Sequence, residues 1–79
     1  MRVRMRFFAA LREQLGATTE RRVRTGTTVG ALWRAFVAER PKLRAVPVRF
    51  AVGQEYVPAS YRLREDDEVA VFPPVSGGR

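Results

Sequence analysis

Thr25-Gly26-Thr27-Thr28-Val29-Gly30-Ala31-Leu32-Trp33-Arg34-Ala35-Phe36-Val37-Ala38-Glu39-Arg40-Pro41 is the stretch that decides how this chain folds. Val29, Leu32, Trp33, Phe36 and Val37 recur at the i, i+3, i+4, i+7, i+8 spacing of one apolar helix face. Thr25 to Thr28 read as a turn that ends in a helix N-cap. Pro41 stops the helix soon after Glu39, because proline has no backbone N–H to continue the ladder. Trp33 lies inside the stripe and reads as a core anchor rather than a ligand platform. One helix of this length cannot bury its stripe alone, so the rest of the chain must supply a sheet.

The flanking segments supply it. Val3, Met5 and Phe7 alternate with Arg4, Arg6 and Phe8, which predicts a strand with one buried face and Phe8 exposed on the arginine side. Ala9 to Leu15 reads as a short helix that Gly16 ends. Thr19 to Arg24 is polar and β-compatible, an edge strand that pairs as a hairpin with the first; its arginines discourage pairing with other chains. Lys42 to Pro47 reads as a basic connector. Val48, Phe50 and Val52 alternate with Arg49 and Ala51 as a further strand. Gly53-Gln54 makes a turn, and Tyr56-Val57 begin a return strand that Pro58 ends. Leu63 anchors a loop, and Asp66-Asp67 suits a tight turn because Asp tolerates unusual dihedrals. Val69 and Val71 alternate with Ala70 and Phe72 in the last strand, so Phe72 shares the open side with Phe8. The sum is an α+β domain, a four- to five-stranded mixed sheet packed on one main helix, over residues 1–72. Residues 73–79 form a tail.

Composition narrows the chemistry. Seventy-nine residues make one domain with a thin core, and the apolar fraction of 46% is ordinary. The basic start, Met1 to Arg6, has no long apolar run behind it, so it does not read as a signal peptide, and no apolar stretch is long enough to span a membrane. Cysteine and histidine are both absent. That removes disulfides, thiolate chemistry, cysteine-ligated metal and the side chain best suited to proton transfer near neutral pH. A self-sufficient enzyme and a metal site are not expected, and the lack of cysteine fits the cytoplasm. The formal charge is +7, and Lys42 is the single lysine among 15 basic residues. The arginines are scattered rather than gathered in one stripe, which reads as solvated surface more than as a nucleic-acid site. The acidic residues Glu65-Asp66-Asp67-Glu68 are grouped.

Phe72-Pro73-Pro74-Val75-Ser76-Gly77-Gly78-Arg79 reads as a reactive tail. Two prolines fix φ where the chain leaves the domain, and two glycines leave the tip free of Cβ atoms. At roughly 3.3–3.6 Å per residue, Pro73 to Gly78 reach about 20 Å. That suits a chain end that enters another protein's active site.

Three stretches together resemble a known family: Arg6-Phe7-Phe8-Ala9-Ala10-Leu11-Arg12-Glu13, Ala51-Val52-Gly53-Gln54-Glu55-Tyr56-Val57, and Leu63 through Gly78 with its Glu-Val-Ala strand running into Phe-Pro-Pro-Val-Ser-Gly-Gly. They are similar to the MoaD-type sulfur carriers, the small subunits of molybdopterin synthases, over the whole length. The resemblance implies the β-grasp (ubiquitin-like) fold. It implies that Gly78, with Gly77 before it, carries sulfur as a C-terminal thiocarboxylate to precursor Z, after an adenylyltransferase of the ubiquitin-activating (MoeB) type has joined AMP to the glycine carboxylate with ATP and magnesium. The carrier binds no cofactor itself. It implies partner docking through Phe8, Tyr56, Phe72, Pro73, Pro74, Val75 and Ser76, a MoaE-type large subunit as partner, and a heterotetramer with two large subunits at the centre.

Two features depart from the family. Gly53 stands where the hairpin often carries Asn, a conservative change for a turn. Arg79 follows the glycines, so Gly78 has no free carboxylate as the chain is written. Trimming after Gly78, incidental loss of Arg79, or a carrier function already lost all fit. Other readings stay open: a carrier for tRNA thiolation or thiamine synthesis, a ubiquitin-like protein modifier, a basic nucleic-acid module, or an interaction domain with a blocked end.

Overall fold

A computed structural model describes residues 1–74. The elements run β1 (Arg2–Phe7), α1 (Ala9–Leu15), β2 (Thr18–Arg22), α2 (Val29–Glu39), a 3-10 helix (Pro41–Ala45), β3 (Arg49–Val52), β4 (Glu55–Val57) and β5 (Glu68–Phe72). The five strands form one sheet in the order β2-β1-β5-β3-β4. β1 pairs parallel with β5, and the other pairs are antiparallel. The sheet is therefore mixed, with the first and last strands of the chain, β1 and β5, side by side among its three inner strands.

α2 covers one face of that sheet. Val29, Leu32 and Phe36 bury against Val3, Met5 and Phe7 of β1 and Val69 and Val71 of β5. Each such side chain contributes roughly 1.5–3 kcal/mol by leaving water. The Phe36 ring lies 5.4 Å from that of Phe7 and 5.7 Å from that of Trp33. Trp33 is half-buried, packed against the core from its flank. The N-cap is Thr28, whose hydroxyl accepts from the Ala31 N–H at 3.1 Å, worth about 1 kcal/mol. The next free helix donors go to the preceding loop: the Val29 N–H to the Tyr61 carbonyl at 2.9 Å and the Gly30 N–H to the Ala59 carbonyl at 2.8 Å. A Cβ at residue 30 would stand 2.9 Å from the Ala59 Cβ, so glycine there permits the close approach.

The hairpins follow the sequence closely. Gly53 and Gln54 both have positive φ, 61° and 69°, the requirement of the two-residue turn that joins β3 to β4. Asp66 has φ 67°, and the Asp67 carboxylate accepts from the Arg64 N–H at 2.8 Å and from the Tyr61 hydroxyl at 3.2 Å. That acidic turn is tied to β1 through Asp66 N–H to Arg2 carbonyl, 2.8 Å, and Arg4 N–H to Asp67 carbonyl, 2.9 Å.

Two expectations change. The basic connector contains a 3-10 helix, and its Leu43 is buried. The segment is short, and Lys42, Arg44 and two prolines mask its apolar residues, although Pro at the first helical position is a recognised start. The second strand runs Thr18–Arg22 and not to Arg24; Arg2 opposite Arg22 is its last strand pair, and beyond it Val23 bonds only the first residue of the chain, Met1.

Candidate functional site

The face of the sheet away from α2 divides into two fields. Over β2, β1 and the start of β5 most open side chains are charged, and several are paired. Arg4 reaches Glu20 at 3.3 Å and Glu68 at 3.8 Å, Arg6 reaches Glu68 at 4.0 Å, and Arg2 reaches Asp66 at 3.8 Å. These pairs are well exposed, so each adds about 0.2–1 kcal/mol at most.

Over β5, β3 and β4 the same face turns apolar. Ala51 stands opposite Ala70 on one side and Tyr56 on the other, and Arg49 opposite Phe72. Two alanines give this field a low floor. Phe72 and Tyr56 rise from it, their rings 5.5 Å apart. Phe8 borders it, its backbone N–H bonded to the Val71 carbonyl at 3.2 Å and its ring capped by the Arg6 guanidinium at 5.4 Å. An open depression of about 550 Å³ runs between Phe8, Ala70, Ala51 and the Gly53-Gln54 turn. Phe8 is 38% exposed and Tyr56 71% exposed, the large apolar side chains left in water among the described residues.

Local backbone geometry sets this arrangement. Phe8 is extended at the N-terminus of α1, and Ala9 follows with φ 55°. A non-glycine residue there costs on the order of 1 kcal/mol. The sharp turn swings α1 away and leaves Phe8 on the open face beside the end of β5. Pro73 and Pro74 are half-buried as they leave β5.

The sequence-derived candidates Phe8, Tyr56, Phe72, Pro73 and Pro74 thus come together around the end of β5. Val75, Ser76, Gly77, Gly78 and Arg79 lie outside the described residues. The alanine floor was not foreseen; its signal was Ala51 and Ala70 at the open-side positions of two strands that pair. Phe72 packs on Tyr56, a contact that needs the β3–β4 hairpin in register. Among the described residues no group of acidic side chains is arranged to hold a metal ion. The side chains with shifted pKa values lie elsewhere. Arg21 holds Glu39 below the ordinary carboxylate range through their hydrogen bond, and burial, then Asp67, pushes the Tyr61 phenol up.

A helix laid across a mixed sheet of this order, with the C-terminal strand at the sheet centre, is the β-grasp architecture of ubiquitin-like proteins. Residues 5–78 match the model of the ThiS family, and the chain belongs to that family. The match runs to Gly78 and leaves Arg79 outside. The chain is 38% identical to the molybdopterin synthase sulfur carrier subunit of Mycobacterium tuberculosis, covering 99% of both chains. Its fold superposes with a TM-score of 0.84 on a putative molybdopterin converting factor subunit 1 from Pyrococcus furiosus, 27% identical, covering 95% of this chain and 99% of that one. It superposes with a TM-score of 0.80 on small archaeal modifier protein 1 of Haloferax volcanii, 27% identical, covering 94% and 98%.

Proposed function

We propose that this chain is the sulfur-carrying small subunit of a molybdopterin synthase. The observation that carries the reading is full-length likeness to a sulfur carrier subunit of that enzyme, together with a family match that continues through Gly77 and ends on Gly78. The domain presents its tail; it does not supply catalytic side chains. Arg79 is removed first, exposing the Gly78 carboxylate. Inside an adenylyltransferase partner, that carboxylate attacks the α-phosphorus of ATP, and magnesium pyrophosphate leaves. A sulfur nucleophile at the sulfide level then attacks the acyl carbon. AMP departs with the C–O bonding pair, and a thiocarboxylate remains on Gly78.

The apolar field of Ala51, Ala70, Tyr56, Phe72 and Phe8 docks the large subunit, aromatic side chains being enriched at interface cores. The prolines lower the ordering cost of the tail by restricting it before it binds. By this reading the protein works in the cytoplasm, within a heterotetramer of two small and two large subunits.

The test is reconstitution. The chain ending at Gly78 and the chain retaining Arg79 are each incubated with a molybdopterin-type adenylyltransferase, ATP, magnesium and sulfide, and intact masses are read. The shortened chain should gain the mass of one oxygen-for-sulfur exchange, and the chain with Arg79 should not. No exchange in the shortened chain would overturn the reading.

A second reading is favoured by the likeness to a modifier protein. There the activated Gly78 acylates lysine side chains of other proteins. Remnants spanning Glu65 to Gly78 on partner lysines after tryptic digestion, which cuts after Arg64, without thiocarboxylate, would decide for it.

A further inference from the structure

The helical side of the molecule carries a groove that the sulfur-carrier reading does not use. It lies where α2 meets the 3-10 helix, is open to solvent, and measures about 580 Å³, within the range of ligand pockets. Its walls are Trp33, Val37, Ala38 and Pro41, with Arg34 and Arg44 at the rim. The Trp33 ring is held from within, stacked on Phe36 at 5.7 Å and edge-on to Phe50 at 6.3 Å. Its free edge therefore faces the groove in a fixed pose.

The charges around it are of one sign. Arg34 and Arg44 at the rim, and Lys42 between them in sequence, form no ion pair among the described residues. The nearest acid in sequence, Glu39, is already held by Arg21 at 2.7 Å and Arg40 at 3.4 Å. An apolar trough with an aromatic wall and unopposed guanidinium groups at its rim fits an apolar side chain flanked by carboxylates. The chain's own acidic run cannot fill it from a second copy: Leu63 is buried at 4% exposure, and Asp67 is committed to Arg64 and Tyr61.

We infer that this groove docks an acidic segment of a partner protein carrying a large apolar anchor. It sits on the side of the sheet covered by α2, so its occupation leaves the aromatic face accessible. A partner held there stays bound while the tail visits another active site.

Trp33 is the single tryptophan, so its fluorescence reports the groove directly. The full chain is titrated with the blocked peptide Glu-Asp-Leu-Phe-Glu-Asp, with a control in which Ser-Ser replaces Leu-Phe, and with a single-stranded RNA oligonucleotide. The expected result is a saturable change in Trp33 emission with the first peptide, at least tenfold weaker with the control. Arg34→Glu with Arg44→Glu should weaken binding at least tenfold, with unchanged circular dichroism. Both arginines are exposed, so these replacements leave the core intact. Tyr56→Ala, on the opposite face, should leave the titration unchanged. No saturable change up to millimolar peptide, equal binding of the serine control, insensitivity to the double charge reversal, or tighter binding of the RNA would each overturn the proposal.

Discussion

On one face of the sheet, Val3, Met5, Phe7, Val69 and Val71 are sealed against α2 at 1% exposure or less. On the other, the alternate residues of the same strands face away from α2: Arg4, Arg6 and Glu68 are exposed, and Ala70 and Phe72 are half-buried. The pleat forces the division, since neighbouring side chains of a strand point to opposite faces. The difference teaches where each property resides. Stability is concentrated on the α2 face, and on the open face a side chain can change without opening a cavity.

The largest test of that contrast is Phe36→Ala. Phe36 is 2% exposed and touches Phe7 and Trp33, with the Arg21 and Arg40 guanidinium groups over its ring. Loss of about 3–5 kcal/mol is expected, against a total of roughly 4–12 kcal/mol for a domain this size. Urea unfolding followed by circular dichroism should find the variant largely unfolded or close to it. A cost below about 1 kcal/mol would mean that α2 does not seal the core.

Gly30→Ala comes next. Overpacking against Ala59 costs about 1–3 kcal/mol, and the better helix propensity of alanine returns up to about 1 kcal/mol. A net loss near 1 kcal/mol is expected in the same urea experiment. A gain in stability would show that the Ala59 loop can yield.

Phe72→Ala sharpens the comparison from the other side. It should cost less than about 1.5 kcal/mol of stability, because Phe72 is only half-buried and its ring meets Tyr56. It should nevertheless weaken large-subunit binding by tenfold or more in calorimetry. An unchanged affinity would remove the apolar field from the docking surface.

The smallest effect concerns acid. The folded-state pKa of Glu39 is depressed, chiefly by its hydrogen bond to Arg21. Its contribution to stability is present above the unfolded value near 4.5 and is lost as pH falls through the lower folded value. Wild type should therefore lose its advantage over Glu39→Gln between neutral pH and pH 3, read as converging urea midpoints. Midpoints that differ by the same amount at both pH values would show that the pair is not ionic in origin.

Much of this was legible in the residues, and the rest has identifiable causes. The α2 stripe, the alternation of β1, β3 and β5, the Gly53-Gln54 turn and the exposure of Phe8 are local patterns, each set by a period or a dihedral requirement. The 3-10 helix escaped because Leu43 alone carries its burial. The Gly30–Ala59 approach and the Ala51–Ala70 floor escaped because they depend on which segments become neighbours, and pairing partners leave no mark within either segment. Trp33 was read as a core anchor; it is half-buried instead, since it sits at the edge of the stripe, where one side of the ring meets Phe36 and Phe50 and the other meets the groove.

The central position of β5 has a mechanical consequence. The strand is bonded along both edges, to β1 in parallel and to β3 in antiparallel, and the chain leaves directly from its end. Tension applied to the tail along the strand loads two ladders in shear, so many hydrogen bonds must yield together. An edge strand pulled sideways would instead unzip one bond at a time. A partner that draws this tail into a narrow channel pulls on the part of the sheet best able to resist it, and the domain serves as a fixed handle while its end is worked on.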